Sequence, residues 1–159
     1  MRHRGRVLIR RRGVGQRLTT TGNEVIIKVS GEDTEGAFAL LECALRPGDS
    51  SPPPHRHAFS ELFYVLEGTL AVDLNGQRYR AAAGAIVYVS GGAVHTFAAD
   101  GGSTVRFLVL AVPSGIENYF LELKQVLADL SPWAQEAEAV QDRMVRLLRK
   151  YGIETVAAA

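Results

Sequence analysis

The stretch PPPHRHAFSELFYVLEG, residues 52–68, sets two imidazoles and a carboxylate into a run that otherwise reads as buried strand. Burying such groups costs free energy unless each finds a partner, so their presence here asks for a reason. His55 and His57 are two residues apart, and on an extended strand they point to the same side. Glu61 shares that parity, as do Phe63 and Val65, although a turn or bulge at residues 58–60 would break the phase. Two imidazoles with a carboxylate four residues on offer two nitrogens and an oxygen to one metal ion. Such a donor set suits iron, manganese, nickel, copper, cobalt or zinc. A third imidazole is then wanted, and the chain has four histidines. His3 sits in the basic N-terminal tail. His95 follows a glycine-rich turn in GGAVHTF, residues 91–97, at the start of another strand, where a hairpin-rich barrel would bring it opposite the first three.

Outward from this stretch, between residues 6 and 112, turn signals such as RPGDSSPPP, LNGQ, AAAG, SGGA and ADGG separate short apolar runs. The runs are RVLI, EVIIKV, AFALLECAL, ELFYVL, TLAVDL, QRYRA, AIVYV, HTFAA and TVRFLVLAV. Many short strands at short intervals predict an all-β sandwich or barrel. Asn75-Gly76, between LAVD and QRYR, is the strongest short hairpin signal available. FLVLAV and LFYVL are apolar on both sides, which predicts that both faces are covered, one by the barrel interior and the other by helices, a second sheet or a partner chain.

After Pro113 the period changes. Ile116, Tyr119, Phe120, Leu123, Leu127 and Leu130 fall on one helical face. Ser131 and Pro132 read as the cap and first residue of a second helix, with Trp133, Ala137, Val140, Met144, Leu147 and Tyr151 as its stripe and Gly152 as its stop. Glu136 and Glu138 early and Arg146, Arg149 and Lys150 late suit the helix dipole. The chain thus divides into N-terminal strands completing the sheet (1–35), a barrel (36–113) and a C-terminal helical extension of the same domain (114–159).

The whole chain has 159 residues and a net charge of +1, which gives no strong pull toward nucleic acid or a membrane surface. The arginine-rich N-terminus reads as a solvated edge strand and turn, and its run VLI is too short for a secretory signal. The two C-terminal helices show a packing stripe and no basic recognition face, so no nucleic-acid partner is expected. No run approaches the ~20 apolar residues of a membrane span. The single Cys43 excludes an internal disulfide and reads as a small buried hydrophobe; a cytoplasmic protein is expected.

The two histidine-bearing segments resemble the cupins. That family's first motif runs G-x5-H-x-H-x3,4-E-x6-G, and this chain has Gly48, six residues, His55-Arg56-His57, three residues, Glu61, six residues and Gly68. The second motif runs G-x5-P-x-G-x2-H-x3-N, and here stand Gly84, five residues, Ser90-Gly91-Gly92, two residues, His95, three residues and Ala99. The likeness covers about residues 36–112, and the helical tail with its YGIE sequence is similar to that of small quercetin-dioxygenase-like cupins. There is one extra residue before His55, and Ser90 and Ala99 replace the motif's proline and asparagine, so the turn before His95 is expected to be less rigid.

The resemblance implies a conical antiparallel β-barrel, a jelly roll or double-stranded β-helix, holding one divalent metal through His55, His57, Glu61 and His95. It also implies that Glu61 doubles as a catalytic proton acceptor. Phe63, Val65 and Phe97 share parity with the ligands and are the expected pocket walls, with Tyr64 and Tyr88 pointing the other way. A dioxygenase acting on a small aromatic or enolic compound is the leading expectation. A non-redox isomerase, decarboxylase or lyase, or a small-molecule binding module without catalysis, are the alternatives. Doubly apolar strands together with family habit suggest a homodimer.

Overall fold

The computed structural model describes residues 5–19, 23–49, 52–129 and 137–157, with the side chains of 137 and 138 excepted. Eleven strands and two helices are described, in the order β1 (Gln16–Thr19), β2 (Asn23–Val29), β3 (Ala39–Leu45), β4 (His55–Arg56), β5 (Ser60–Glu67), β6 (Thr69–Leu74), β7 (Gln77–Ala82), β8 (Ile86–Val89), β9 (His95–Ala99), β10 (Val105–Val112), α1 (Ile116–Asp129), α2 (Ala137–Lys150) and β11 (Glu154–Thr155). Every strand pairing is antiparallel. One sheet has the order β1-β2-β3-β10-β5-β8 and the other β11-β4-β9-β6-β7. Among the described residues the ladders leave both sheets open; hydrogen bonding does not close them into one cylinder.

Side-chain alternation explains why the sheets pack. On β10, Val105, Phe107, Val109 and Ala111 are buried, while the residues between them are half-buried or exposed. β5 buries Glu61, Phe63 and Val65 and turns Tyr64 and Leu66 outward. These inner residues meet Leu70 and Val72 of β6 and Phe97 of β9 in one core. Burying a side chain the size of Leu or Phe contributes about 1.5–3 kcal/mol, so this shared interior is what joins the two sheets. The outer face of the six-stranded sheet keeps Tyr64, Leu66, Ile86, Tyr88 and Val112 exposed, so at these positions no described helix or second sheet supplies the cover that the doubly apolar runs predicted.

The Asn75-Gly76 hairpin forms as expected. Leu74 pairs with Gln77 across a two-residue loop, and both loop residues have positive φ, 49° and 82°. That is the type I′ geometry whose twist matches the flanking strands.

The run RVLI behaves differently from its reading as a strand. Residues 6–9 join no ladder, and Val7 and Ile9 are both 84% exposed. The neighbouring arginines do not present a free basic surface either: Arg6 and Arg10 reach Asp33, and Arg12 reaches Glu67. Just beyond, the chain is fastened to β2 and β3 by a buried ion pair. Lys28 Nζ lies 3.1 Å from Glu42 Oε2 and also donates to the carbonyls of Arg11 and Val14. Glu42 in turn accepts the Gly13 amide on both oxygens, at 3.1 and 3.2 Å.

The helical face Ile116, Tyr119, Phe120, Leu123 and Leu127 is buried or half-buried, as its period predicts. Glu117 closes the start of α1 by accepting the Gly115 and Gly31 amides at 2.7 Å each. α2 ends in a Schellman motif: Gly152 takes φ +64°, its amide donates to Arg149 and the Ile153 amide donates to Leu148 at 2.9 Å. His3, the Ser131-Pro132 cap, Leu130, Trp133 and Glu136 lie outside the described residues, as does the side chain of Glu138. No described helix is long and apolar enough to cross a membrane.

Candidate metal centre

His55 on β4 stands directly opposite His95 on β9, so the ladder alone brings two imidazoles together with ring centroids 4.4 Å apart. The chain then turns at residues 58–59 and enters β5, which belongs to the other sheet. Glu61 therefore reaches the histidines from the opposite sheet. The shared parity of His55, His57 and Glu61 along one continuous strand is not what unites them. They meet because the chain crosses between sheets at the turn and both sheets face one interior.

His55, His57 and His95 place their ligating nitrogens within 4.8 Å of one another. His95 is 1% exposed, His57 5% and Glu61 7%, with His55 half-buried. Each ring is aimed by a backbone carbonyl. Nδ1 of His55 lies 2.9 Å from the Pro53 oxygen, that of His57 2.9 Å from Phe59 and that of His95 3.0 Å from Ala93. A neutral imidazole has one donor and one acceptor nitrogen. With Nδ1–H committed to a carbonyl, each Nε2 is left with its lone pair toward the centre.

Glu61 Oε2 sits 3.0 Å from His95 Nε2 and 3.2 Å from His57 Nε2. Lone pairs facing one another at such distances repel, so a proton or a cation has to lie among them. A proton on His95 Nε2 serves one contact. His57 Nε2 remains buried without an aligned hydrogen-bond partner despite its closeness to Glu61. Ligands about 2.1 Å from one ion and at right angles stand about 3.0 Å apart, which is the spacing seen here. The residues thus fit a divalent transition metal, with three nitrogens and one adjacent oxygen as donors.

For His55 and Glu61 the electrostatics point the same way. Burial pulls the His55 imidazole down to about 4, helped by the neighbouring His95. Burial alone would raise the Glu61 carboxyl, but the adjoining His57 and His95 imidazoles outweigh it and hold the group at about 2. Burial likewise works to lower His95, and the Glu61 carboxylate with the Ala93 carbonyl raises it above its ordinary value. The centre therefore combines an anionic carboxylate with His55 held neutral, the protonation states that metal ligation requires.

Below the ligands the interior is aromatic. Phe63, Phe97 and Phe107 form a triangle with centroids 5.4, 5.8 and 6.0 Å apart, and Phe63 and Val65 are fully buried. Phe59 stacks on the His57 ring at 3.6 Å with the planes 3° apart, which fixes that imidazole from its face. Phe107 and Phe59 were not among the expected wall residues. Strict alternation on β10 carried a signal for the first, and the second sits in a turn with no periodic signal. Tyr64 and Tyr88 point outward, as their parity indicates, at 38% and 61% exposure. Cys43 is buried and its thiol is pushed well above the ordinary range by burial, so it acts as an inert core residue.

The turn before His95 is not left slack by Ser90. The Gly92 amide donates to the His57 carbonyl at 2.7 Å, and the Gly91 amide donates to Ser60 Oγ at 3.2 Å. A Cβ on Gly91 would stand 2.1 Å from the Ala58 carbonyl oxygen, so glycine is what lets the two ligand-bearing turns touch. Gly91→Ala is expected to push the turns apart and weaken metal affinity by about 10–100-fold, the range typical of lost outer-shell support. Competition titration with a chromophoric chelator measures it.

A family profile described as a cupin domain matches residues 41–111. Comparison with curated proteins gives no match. Among solved structures, the chain is similar to the polyketide cyclase RemF of Streptomyces resistomycificus at 25% identity and a TM-score of 0.61, covering 69% of this chain and 81% of that one. A predicted oxalate decarboxylase of Thermotoga maritima shares 22% identity and a TM-score of 0.59 over 67% of this chain and 99% of its own. A cupin-like protein of Thermotoga maritima shares 16% identity and a TM-score of 0.56 over 62% and 77%. The last two bear on the fold alone. The segment that matches the cupin-domain profile, residues 41–111, contains His55, His57, Glu61 and His95.

Proposed function

We propose that this chain binds one divalent transition metal through His55, His57, His95 and Glu61 and uses it on a small aromatic or enolic compound. The observation that carries the reading is the commitment of all three Nδ1 atoms to carbonyls, which leaves three lone pairs and a carboxylate oxygen converging with His57 Nε2 unpartnered. A divalent ion bound there would polarise a substrate oxygen or, if redox-active, engage dioxygen.

The chain's own residues set the rest. Phe63, Phe97 and Phe107 keep water from the interior side of the site and offer an apolar floor of mutually tilted rings. Glu61 Oε2 is the base nearest the centre. The adjoining imidazoles hold it at about 2, so it takes a substrate proton only as its contacts with His57 and His95 loosen. Arg56 points away into a contact with Glu154, so no cation next to the ligands favours a phosphorylated substrate.

The finer reading is a dioxygenase of the quercetin-cleaving kind, which rests on the resemblance of the motifs. A second reading, a non-redox ring closure or lyase step, is favoured by the likeness to a polyketide cyclase. Both take an enolic aromatic and both use Glu61 as proton acceptor. Metal-loaded protein is to be screened on flavonols and cyclisable enols with and without oxygen. Turnover that stops without oxygen supports the dioxygenase, and turnover that persists supports the cyclase or lyase. Glu61→Gln is expected to lower either activity by about 10²–10⁴-fold. Ligand-dependent stabilisation with no turnover in either gas would leave a binding module.

A further inference from the structure

We propose that the C-terminal strand β11 is a clamp that positions His55 for metal binding, with Glu154 and the Val156 amide as its working parts. The proposal rests on the metal reading above. It starts from a weakness in β4. That strand has two residues, and its ladder to β9 holds at one pair, His55 with His95. The three residues before it are prolines, which donate no backbone hydrogen bond. Left to itself, such a segment has little to hold it.

Each proline carbonyl is nonetheless used. Pro52 accepts from Thr96 Oγ1 and Pro53 faces the His55 ring nitrogen. Pro54 accepts the Val156 amide at 2.8 Å. β11 then pairs with β4 at two positions, Glu154 with Arg56 and Thr155 with His55, so β4 has more pairing from the tail than from β9. Arg56 donates twice to the Glu154 carboxylate, at 2.8 and 2.9 Å.

The tail is itself anchored. Ile153, immediately after the Gly152 stop, enters the core at 8% exposure. Tyr151 and Lys150 both reach Glu122 on α1 at 2.5 Å. The sequence YGIET therefore stops a helix, plugs the core and lays a strand along the ligand strand within five residues. Whatever orders the tail orders His55, and by linkage whatever binds His55 orders the tail.

The test titrates the full-length chain with Zn²⁺ against a competing chelator. Val156→Pro removes the amide that Pro54 accepts and leaves Ile153 in place; it is expected to weaken Zn²⁺ binding about tenfold, the lower end of outer-shell effects. Glu154→Lys is expected to weaken it by a few-fold, and Arg56→Glu/Glu154→Arg to restore it. Glu24→Lys, which breaks the exposed Arg17–Glu24 pair in the other sheet, is expected to leave affinity unchanged. Binding by Val156→Pro and Glu154→Lys within twofold of wild type overturns the clamp. If wild type binds no metal, the metal reading fails separately. Deuterium uptake at residues 55–57 in the metal-free chain then decides: faster uptake in Val156→Pro supports the clamp, and unchanged uptake overturns it.

Discussion

Untagged protein is expected to carry close to one divalent transition metal per chain, and the His55→Ala/His57→Ala variant almost none. The variant removes two of three converging imidazoles and leaves His95 and Glu61, a pair that already satisfies itself with one proton. Loss of mere outer-shell support costs about 10–100-fold in affinity, so losing two ligands should exceed that range. Metal content by inductively coupled plasma mass spectrometry reads the stoichiometry. Thermal unfolding gives an independent measure. A ligand at a hundred times its Kd stabilises by about 2.7 kcal/mol, which for a chain of this length raises Tm by roughly 5–11 °C. Wild type should show that rise with an added binding ion and the variant should not. A wild-type chain that takes up no iron, manganese, nickel, copper, cobalt or zinc, with no shift in Tm, would sink the metal reading. Zinc alone would favour the non-redox reaction over the dioxygenase.

The candidate residues could be picked out because they are written in short-range spacing: His55, His57 and Glu61 lie within seven residues, and His95 is the remaining histidine outside the tail. The reason they converge was not legible from parity. Whether residues 58–59 continue a strand or turn into another sheet depends on tertiary pairing, which local sequence does not encode. Strands with an apolar period were visible, β10 and β5 above all. β1 and β11 were not, because QRLT and ET are short and polar and become strands only through their partners. The opposite error arose at residues 6–9, where an apolar run suggested a strand. There the chain has no ladder partner, since its flanking arginines are drawn to Asp33 and Glu67 instead. β11 matters most among these. Two polar residues near the C-terminus give no hint, in sequence, that they lie beside the His55 strand nearly a hundred positions earlier.

Glu42→Ala should be strongly destabilising although it lies outside the site. Lys28 and Glu42 have side chains 9% and 4% exposed and stand 3.1 Å apart. Removing one partner leaves the other charge buried without its counter-ion, which typically costs about 3–5 kcal/mol. For this length that is roughly 6–20 °C in Tm. The Gly13 amide also loses its acceptor, so residues 10–14 should detach from β2 and β3 and exchange faster. The pH dependence fixes the sign. Burial works to raise Glu42, but the Gly13 amide and Lys28 outweigh it and the folded-state group lies below its ordinary value of 4.5. A depressed carboxyl contributes stability that is full above the unfolded value and fades as pH falls through the folded one. Wild type should therefore lose stability below about pH 4.5, and Glu42→Gln should lose less over the same interval because its share is already gone. Lys28→Met would not rescue the alanine variant fully, because the Arg11 and Val14 carbonyls would then lack their donor. A Glu42→Ala chain that melts within about 2 °C of wild type would show that the pair contributes little to stability.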